Sequence, residues 1–246
     1  MTARPAPRRA LVTGAGRRVG KAIALALGRE KMHVAVHYHS SEKEAEGTCE
    51  EIEALGGRAT KIRADLRSRD GARRLVDDAA EKLGGLDVLV PSAAGYERVL
   101  VEDVDDAAWD RMLELNLASP FALAHRAIPL LRASNGCIVF ITCASATTPY
   151  RCFLPYTVSK GGLRHLMRTL AVELAPDVRV NAVAPGTVLP PEDMSAEELE
   201  KIRKRIPLGR IGTAEDVAQA VVYLVHAPFV SGHEILVDGA RTVLAF

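Results

Sequence analysis

The chain has 246 residues, of which 48% are hydrophobic, and this suffices for one large core and predicts one domain. Its 32 Lys and Arg residues balance 31 Asp and Glu residues, which excludes an overall charge that would attract nucleic acid or an anionic membrane. No apolar run approaches the roughly 18 residues of a membrane span, and the basic first nine residues lack the apolar core of a secretory signal. We therefore expect a cytoplasmic protein with a flexible tail over residues 1–9 and a single domain over residues 10–246.

The cysteines support the same cellular environment. Their spacing shows no C-x-x-C pair and no metal-ligand pattern with the seven histidines. We therefore expect reduced thiols and no metal site. The four cysteines are Cys49, Cys137, Cys143 and Cys152.

The segment at residues 10–20 reads A-L-V-T-G-A-G-R-R-V-G. A short apolar run precedes the glycines, and apolar residues at helical spacing follow them, which predicts a strand, a tight turn and a helix. Glycines let the backbone turn sharply and approach a ligand, while free N–H groups at a helix start favour an anion. The implied ligand is the pyrophosphate of a dinucleotide. The candidate cofactor residues of this turn are Gly14, Arg17, Arg18, Val19 and Gly20.

The glycine spacing differs from the common G-x-G-x-x-G pattern. The T-G-x-x-x-R-x-G pattern resembles the turn of the short-chain dehydrogenase/reductase family, with Arg18 in place of the usual middle glycine. The arginine is typical of the family's pteridine reductase branch. The resemblance implies that Arg18 lies beside the cofactor phosphates and the substrate, whereas its alternative is a solvated surface arginine.

A second strand is predicted at residues 32–37, and the end of this strand indicates which cofactor binds. An acidic residue there would accept a hydrogen bond from the ribose 2′-hydroxyl of NAD, but residues 38–41 contain none. The H-Y-H-S-S stretch also resembles pteridine reductases, with Ser40 replacing a basic residue. We therefore predict NADP(H), because basic and hydroxyl side chains would bind its 2′-phosphate. The candidate residues are Arg17, Arg18, His39, Ser40 and Ser41.

Residues 42–55 predict a helix, and residues 58–64 predict a third strand that ends before Asp65 and Leu66. The family resemblance implies that this pair borders the adenine ring, with the carboxylate accepting from the amine. The alternative is that Asp65 caps the helix starting near Asp70.

Residues 86–90 predict a fourth strand, after which the family usually carries N-N-A-G. This chain instead has Pro91 followed by Ser92, Ala93 and Ala94, so both amides are missing although small residues still let the cofactor ribose pass. Pteridine reductases tend to place an aromatic residue at the position of Tyr96, where it stacks on a flat substrate. The alternative for Tyr96 is ordinary packing.

Residues 103–131 contain a long predicted helix, and Asn116 lies inside it. A mid-helix asparagine competes with the backbone for hydrogen bonds, so it calls for a reason. The resemblance implies that Asn116 bends the helix and holds a water of the proton relay.

Residues 136–142 predict a fifth strand, and Cys143 follows it, 13 residues before Tyr156. The family usually has a catalytic serine at this offset, and pteridine reductases tend to have aspartate. A thiol is a poorer hydrogen-bond donor than a hydroxyl. Cys143 is expected to orient a substrate weakly, to act as a redox-sensitive group, or to line the pocket.

Tyr156 and Lys160 are four residues apart, so a helix over residues 156–173 puts both on one face. A free tyrosine, with a pKa near ~10, transfers protons poorly at neutral pH. A nearby ammonium and an oxidised nicotinamide would lower that pKa. The resemblance makes Tyr156 the general acid in reduction, with Lys160 on the nicotinamide ribose and Asn116 supporting Lys160 through water.

Residues 178–183 predict a sixth strand, and residues 234–239 resemble the family's last strand. Between them, Ser195 and Glu198 form a predicted capping box, Thr213 caps an apolar helix, and residues 188–206 are interpreted as a small lid. After the sixth strand the resemblance implies four cofactor contacts beside the nicotinamide, with Thr187 donating to the carboxamide or pyrophosphate. These residues are Pro185, Gly186, Thr187 and Val188.

The alternation of strands and helices predicts an α/β fold: a doubly wound, Rossmann-like parallel sheet flanked by helices, with its site at the carboxyl ends of the strands. We expect an NADPH-dependent reductase of a small planar substrate held near Arg18, Tyr96 and Cys143. A pterin or dihydropteridine is favoured slightly over a ketone or 3-oxoacyl group. A catalytically weak NADP(H)-binding sensor is the alternative of another class. The resemblance implies a homotetramer, or a dimer, assembled through the two long helices and the last strand.

Overall fold

Short apolar segments of the chain form the strands of one sheet. The computed structural model describes residues 8–190 and 194–243. The seven strands lie in the order β3-β2-β1-β4-β5-β6-β7, and every neighbouring pair is parallel. The strands are β1 (Arg9–Val12), β2 (His33–Tyr38), β3 (Arg58–Arg63), β4 (Val88–Val90), β5 (Cys137–Ile141), β6 (Arg179–Pro185) and β7 (Glu234–Val237).

Helices cover both faces of the sheet. Side chains of a strand alternate between the faces, so Val34 and Val36 join one core while Ala35 joins the other. Helices α1, α2 and α8 pack on the first core, and α3, α5 and α6 on the second. The helices are α1 (Arg18–Arg29), α2 (Glu42–Ala54), α3 (Arg69–Leu83), α4 (Asp106–Leu113), α5 (Ser119–Ser134), α6 (Leu154–Glu173), α7 (Ala196–Arg203) and α8 (Ala214–His226).

This architecture confirms the predicted doubly wound α/β fold. Both predicted helix caps are also confirmed, because Ser195 with Glu198 starts α7 and Thr213 with Asp216 starts α8, each as a reciprocal capping box. The carboxyl ends of all seven strands lie at one edge of the sheet, where the loops after β1, β4, β5 and β6 meet. This edge carries the predicted site residues.

The predicted boundaries are wrong in two places. Arg9 belongs to β1 rather than to a tail, since its guanidinium and backbone both bond to the Asp87 carboxylate. The predicted long helix over residues 103–131 is divided, because a π-helical turn at Glu114–Ala118 separates α4 from α5. Of the predicted tail, residues 1–7 lie outside the described residues, and so do residues 191–193 of the predicted lid.

No helix in the described ranges is long and apolar enough to cross a membrane. Within the same residues, no group of three or more His, Cys, Asp or Glu side chains is arranged to hold a metal ion. Cys49, Cys143 and Cys152 are free cysteines.

Candidate active site

The glycine turn after β1 is packed too closely for side chains. Gly14 has φ +65°, and a Cβ on Gly20 would lie 2.2 Å from the carbonyl oxygen of Gly14. The turn therefore brings backbone against the start of α1, whose first N–H groups have no side-chain cap. Such uncapped N–H groups are suited to an anion.

His37 holds this turn in place, a role that the sequence reasoning missed. The N–H of Gly14 donates to His37 Nδ1 at 3.0 Å, and His37 Nε2 lies 3.2 Å from the carbonyl oxygen of Ala64. Burial lowers the pKa of His37 to about 4, so the ring is neutral and donates from Nε2. The H-Y-H-S-S stretch contained His37, but its contact with a residue 23 positions earlier is visible only in the fold.

Thr13 ties the turn to the loop after β4. Its hydroxyl oxygen accepts from the N–H groups of Ser92 and Ala93, both at 2.9 Å. The small residues that replace the family's two amides are therefore fixed through their backbone.

A cavity of about 430 Å³ opens at the carboxyl ends of β1, β2, β3 and β4. Residues from four separate loops line the cavity. They include every predicted cofactor residue of the first half of the chain. His37, Tyr38, Arg67 and Leu115 also line it and were not predicted. The predicted residues that line it are Gly14, Arg17, Arg18, Val19, Gly20, His39, Ser40, Ser41, Asp65, Leu66, Ser92, Ala93 and Ala94.

The mouth of the cavity is basic. Arg17, Arg18, His39 and Ser40 are exposed there, and neither arginine forms an ion pair within the described part of the chain. The backbone of Arg18 adopts φ +54°, and its guanidinium donates to the carbonyl of Leu189. Exposed guanidinium groups and hydroxyls of this kind are suited to a phosphate group.

Asp65 lines the cavity, and its carboxylate is hydrogen-bonded to Arg67. Arg67 donates to it at 3.0 and 2.8 Å, and these bonds are the largest cause that lowers the pKa of Asp65 to about 2. The alternative of a helix cap is wrong, because Ser68 caps α3 by accepting from the N–H of Gly71. Asp65 thus stays charged at neutral pH and keeps the Arg67 guanidinium at the cavity.

Tyr156 and Lys160 lie on the first turns of α6, as the spacing predicts. Both are buried, at 7% and 3% exposure, and the ammonium lies 5.8 Å from the centroid of the phenol ring. Lys160 Nζ donates to the carbonyl of Ile141 at 3.0 Å, which fixes the ammonium at the end of β5. The Cys143 side chain packs against Tyr156 in the same buried cluster.

The described residues raise the Tyr156 pKa, whereas the expected lowering depends on an oxidised nicotinamide beside the phenol as well as on the ammonium. Burial is the largest cause of a pKa well above the usual tyrosine range, and the neighbouring Cys143 raises it further. Burial also lowers the pKa of Lys160 to about 8. A low-dielectric site penalises both charged forms, so Tyr156 is a neutral phenol at neutral pH.

Asn116 lies in the π-helical turn and is fully buried. It exchanges two hydrogen bonds with the backbone of Gly95, at 2.8 and 3.0 Å, and its amide donates to the Ser159 hydroxyl at 3.2 Å. Asn116 thus lies at the break between α4 and α5, where the resemblance implied only a bend, and it connects this segment to α6. Its bonds go to the residue next to Lys160 rather than to Lys160 itself.

An aromatic cluster surrounds the phenol of Tyr156. The Tyr96 ring stacks on Phe153 at 4.5 Å and meets Tyr156 edge-on at 4.8 Å between centroids. Tyr150 and Phe153 pack around the buried Cys143 and Tyr156. We call these four aromatic residues, Tyr96, Tyr150, Phe153 and Tyr156, the aromatic wall. The sequence reasoning identified Tyr96 and Tyr156 but not Tyr150 and Phe153, which lie in a loop without periodicity.

The segment after β6 is apart from the main cavity. Pro185 ends the strand, and Gly186 packs so closely on Asp238 that a Cβ would lie 2.5 Å from the Asp238 Cβ. The Thr187 hydroxyl accepts from Arg241. Val188 pairs with Gly212 in an isolated bridge. The predicted cofactor residues at positions 185–188 therefore lie at the same sheet edge but do not line that cavity.

Comparisons with known proteins agree with this geometry. Residues 14–241 match a family model described as enoyl-(acyl carrier protein) reductase. The chain is 35% identical over 244 residues to glucose 1-dehydrogenase 2 of Bacillus subtilis, covering 95% of this chain and 94% of that one. It is 34% identical to the 3-oxoacyl-(acyl-carrier-protein) reductase FabG of Staphylococcus aureus, covering 94% of this chain and 96% of the relative.

Solved structures give the same result. The acetoin dehydrogenase YohF of Salmonella typhimurium superposes with a TM-score of 0.89 at 29% identity, covering 96% of each chain. The acetoin dehydrogenase of Enterobacter cloacae has a TM-score of 0.89 at 31% identity, again over 96% of each chain. With a family model over most of its length and relatives above 30% identity, the chain belongs to the short-chain dehydrogenase/reductase family of oxidoreductases.

Proposed function

We propose that this protein is an NADPH-dependent carbonyl reductase in which Tyr156 donates the proton. The observation that carries the proposal is the buried Tyr156–Lys160 pair, with the Cys143 thiol against the phenol. Burial keeps Tyr156 protonated but also makes the phenol a weaker acid, so its proton can pass to a carbonyl oxygen only with positive charge beside the phenolate that forms, which Lys160 supplies. NADPH supplies the hydride when it is bound.

The chain's own residues prepare both sides of this step. The glycine turn and the start of α1 fit the pyrophosphate, and the basic mouth fits the 2′-phosphate, which supports NADP(H) over NAD(H). Lys160 stabilises negative charge that develops on the phenol as it loses its proton. Asn116 positions α6 through Ser159.

The relatives support a carbonyl substrate rather than a pterin. Their names refer to glucose, acetoin and 3-oxoacyl groups, and each of these reactions interconverts a hydroxyl and a carbonyl. Reduction of a pterin stays a second candidate because Tyr96 is 61% exposed beside Tyr156 and Arg18 lies at the cavity mouth. The thiol at Cys143 counts against it, since protonation of a ring nitrogen benefits from an acid there.

The test is oxidation of NADPH by purified protein with an acetoacetyl thioester, an aromatic ketone, acetoin and dihydrobiopterin, repeated with NADH. We expect turnover of at least one carbonyl compound, a preference for NADPH, and a loss of about 100-fold or more in kcat for Tyr156→Phe. Tyr223→Phe is the matched control, because this exposed tyrosine lies on α8 away from the site. Turnover of the pterin alone would favour the second candidate, and NADPH binding without turnover would favour a sensor.

We further infer that the protein forms a homotetramer. Apolar side chains are exposed on two separate surfaces: Phe121, Val158 and Val172 on α5 and α6, and Tyr223 and Leu236 on α8 and β7. Because β7 is an edge strand, its outer side is open to pairing. Two self-complementary surfaces on one chain are what a four-subunit assembly with closed symmetry requires.

A further inference from the structure

Arg241 brings a positive charge to the aromatic wall. It follows β7, its guanidinium donates to the Thr187 hydroxyl, and its guanidinium carbon lies 5.9 Å from the centroid of the Tyr150 ring. Burial raises the pKa of Tyr150 to about 12, and the charge of Arg241 opposes that rise. The same charge acts on the phenol of Tyr96. A cation is therefore held between the segment after β6 and the wall around Tyr156.

Two other partly buried arginines, Arg164 and Arg179, bind acceptors on neighbouring elements and have a structural role. Arg164 pairs with the Glu234 carboxylate at 2.7 Å, and Arg179 donates to the carbonyls of Leu224 and Val225, each at 2.7 Å. These bonds connect separate elements of the fold.

Arg241 lacks such partners. Within residues 8–190 and 194–243 its guanidinium forms no ion pair and one side-chain hydrogen bond, although a guanidinium carries five N–H donors. The adjacent Asp238 carboxylate is occupied by the N–H groups of Ala240 and Thr242 and by the Thr242 hydroxyl. The remaining guanidinium N–H groups of Arg241 have no acceptor among the described residues, so they are available to a bound anion.

We propose that Arg241 is a specificity-determining residue that binds the carboxylate of a ketone substrate, while the planar apolar body of the substrate lies against the aromatic wall. The proposal rests on the proposed reductase function. A guanidinium holds a carboxylate through two parallel hydrogen bonds, and one unpaired cation matches one negative charge. The exposed face of Tyr96 supplies the apolar contact for a flat ring.

The experiment compares 4-acetylbenzoate with its methyl ester, two aromatic ketones that differ in one charge. Their affinities for the NADP⁺-saturated protein are measured by calorimetry, and their reduction is measured with NADPH. We expect the acid to bind at least about tenfold more tightly than the ester, the ratio that one charge-assisted contact supplies. Arg241→Met should bring the ratio close to one, and Arg241→Lys should keep part of it because the charge remains.

Arg151→Met is the matched control and should keep the full ratio, because Arg151 is an exposed arginine in the loop that carries Tyr150 and its side chain forms no hydrogen bond or ion pair with the described residues. NADPH affinity and the thermal midpoint of Arg241→Met show that the variant is folded. Equal affinity for acid and ester in the unmodified protein, absence of binding of either, or a ratio that survives Arg241→Met would overturn the proposal. A ratio that depends on Arg241 without any reduction would instead keep the Arg241 site and refute the reductase function.

Discussion

Cys143 stands where a hydroxyl would be a better donor to a carbonyl oxygen. Its thiol lies against the Tyr156 phenol and accepts from the Ser145 N–H at 3.4 Å, so the side chain already points to the site of proton transfer. Because a hydroxyl donates more strongly than a thiol, Cys143→Ser adds about 1 kcal/mol of hydrogen bonding to the developing alkoxide. We expect kcat for ketone reduction to rise about fivefold. Steady-state kinetics on the best ketone of the panel measures this change.

The comparison needs variants that separate donor strength from packing. Cys143→Ala removes the donor at similar volume and should be slower than Cys143→Ser. Cys152→Ser is the matched control, because Cys152 is a free, partly exposed cysteine in the loop before α6 and should leave kcat unchanged. If serine at position 143 is no faster than alanine, Cys143 merely lines the pocket.

At the scale of elements, His37 connects β2 to the glycine turn and to the end of β3. Its folded pKa of about 4 lies below the usual value of about 6.5, so between these values the unfolded chain binds more protons than the folded one. Stability therefore falls as the pH drops through this window. From this residue alone we expect a loss of about 2 kcal/mol in the free energy of unfolding between pH 7 and pH 5.

Urea unfolding at pH 7 and pH 5 tests this dependence. His37→Gln cannot gain the proton, so its loss between the two pH values should be smaller than that of the unmodified protein by about the same 2 kcal/mol. His125→Gln controls for a histidine change as such, because His125 is exposed on α5. If the free energy of unfolding falls equally between pH 7 and pH 5 in the unmodified protein and in His37→Gln, His37 does not cause the pH dependence.

The elements could be predicted because their signals are local. Short apolar runs, the caps at Ser195 and Thr213 and the glycines after β1 each act within a few positions of the chain. The division of the long helix at Asn116 was less accessible, because it depends on bonds to Gly95 and Ser159 from other segments. The local sequence is therefore enough to predict a helix, whereas the position of its break depends on residues that are distant in the sequence.

In the candidate site, too, residues with local sequence signals were predicted and residues that depend on distant contacts were not. The cavity residues after β1, β2, β3 and β4 were predicted because a parallel sheet brings those ends together. Tyr150, Phe153 and Arg241 were missed, since they lie in irregular segments and meet only through the tertiary fold. The rise in the Tyr156 pKa was also not predicted, because it comes mainly from burial, which a sequence does not reveal.

At the scale of the whole molecule, the two exposed apolar surfaces predict a stepwise assembly. The net charge of +1 gives little repulsion between copies, and Val172 on α6 is 78% exposed although it is apolar. In a tetramer with two kinds of two-fold interface, loss of one kind leaves dimers held by the other. Light scattering after gel filtration should give about four times the 26.5 kDa chain mass for the unmodified protein.

Charged substitutions separate the two interfaces. Leu236→Asp places a carboxylate at an exposed position of β7, and Val158→Asp places one at an exposed position of α6, so each should yield a dimer of about twice the chain mass. Both changes together should yield a monomer, because each removes a different interface. Leu208→Asp controls for added charge, since Leu208 is 71% exposed but belongs to neither surface. A tetramer that survives the double change would assign the assembly to other surfaces, and a monomeric unmodified protein would refute it.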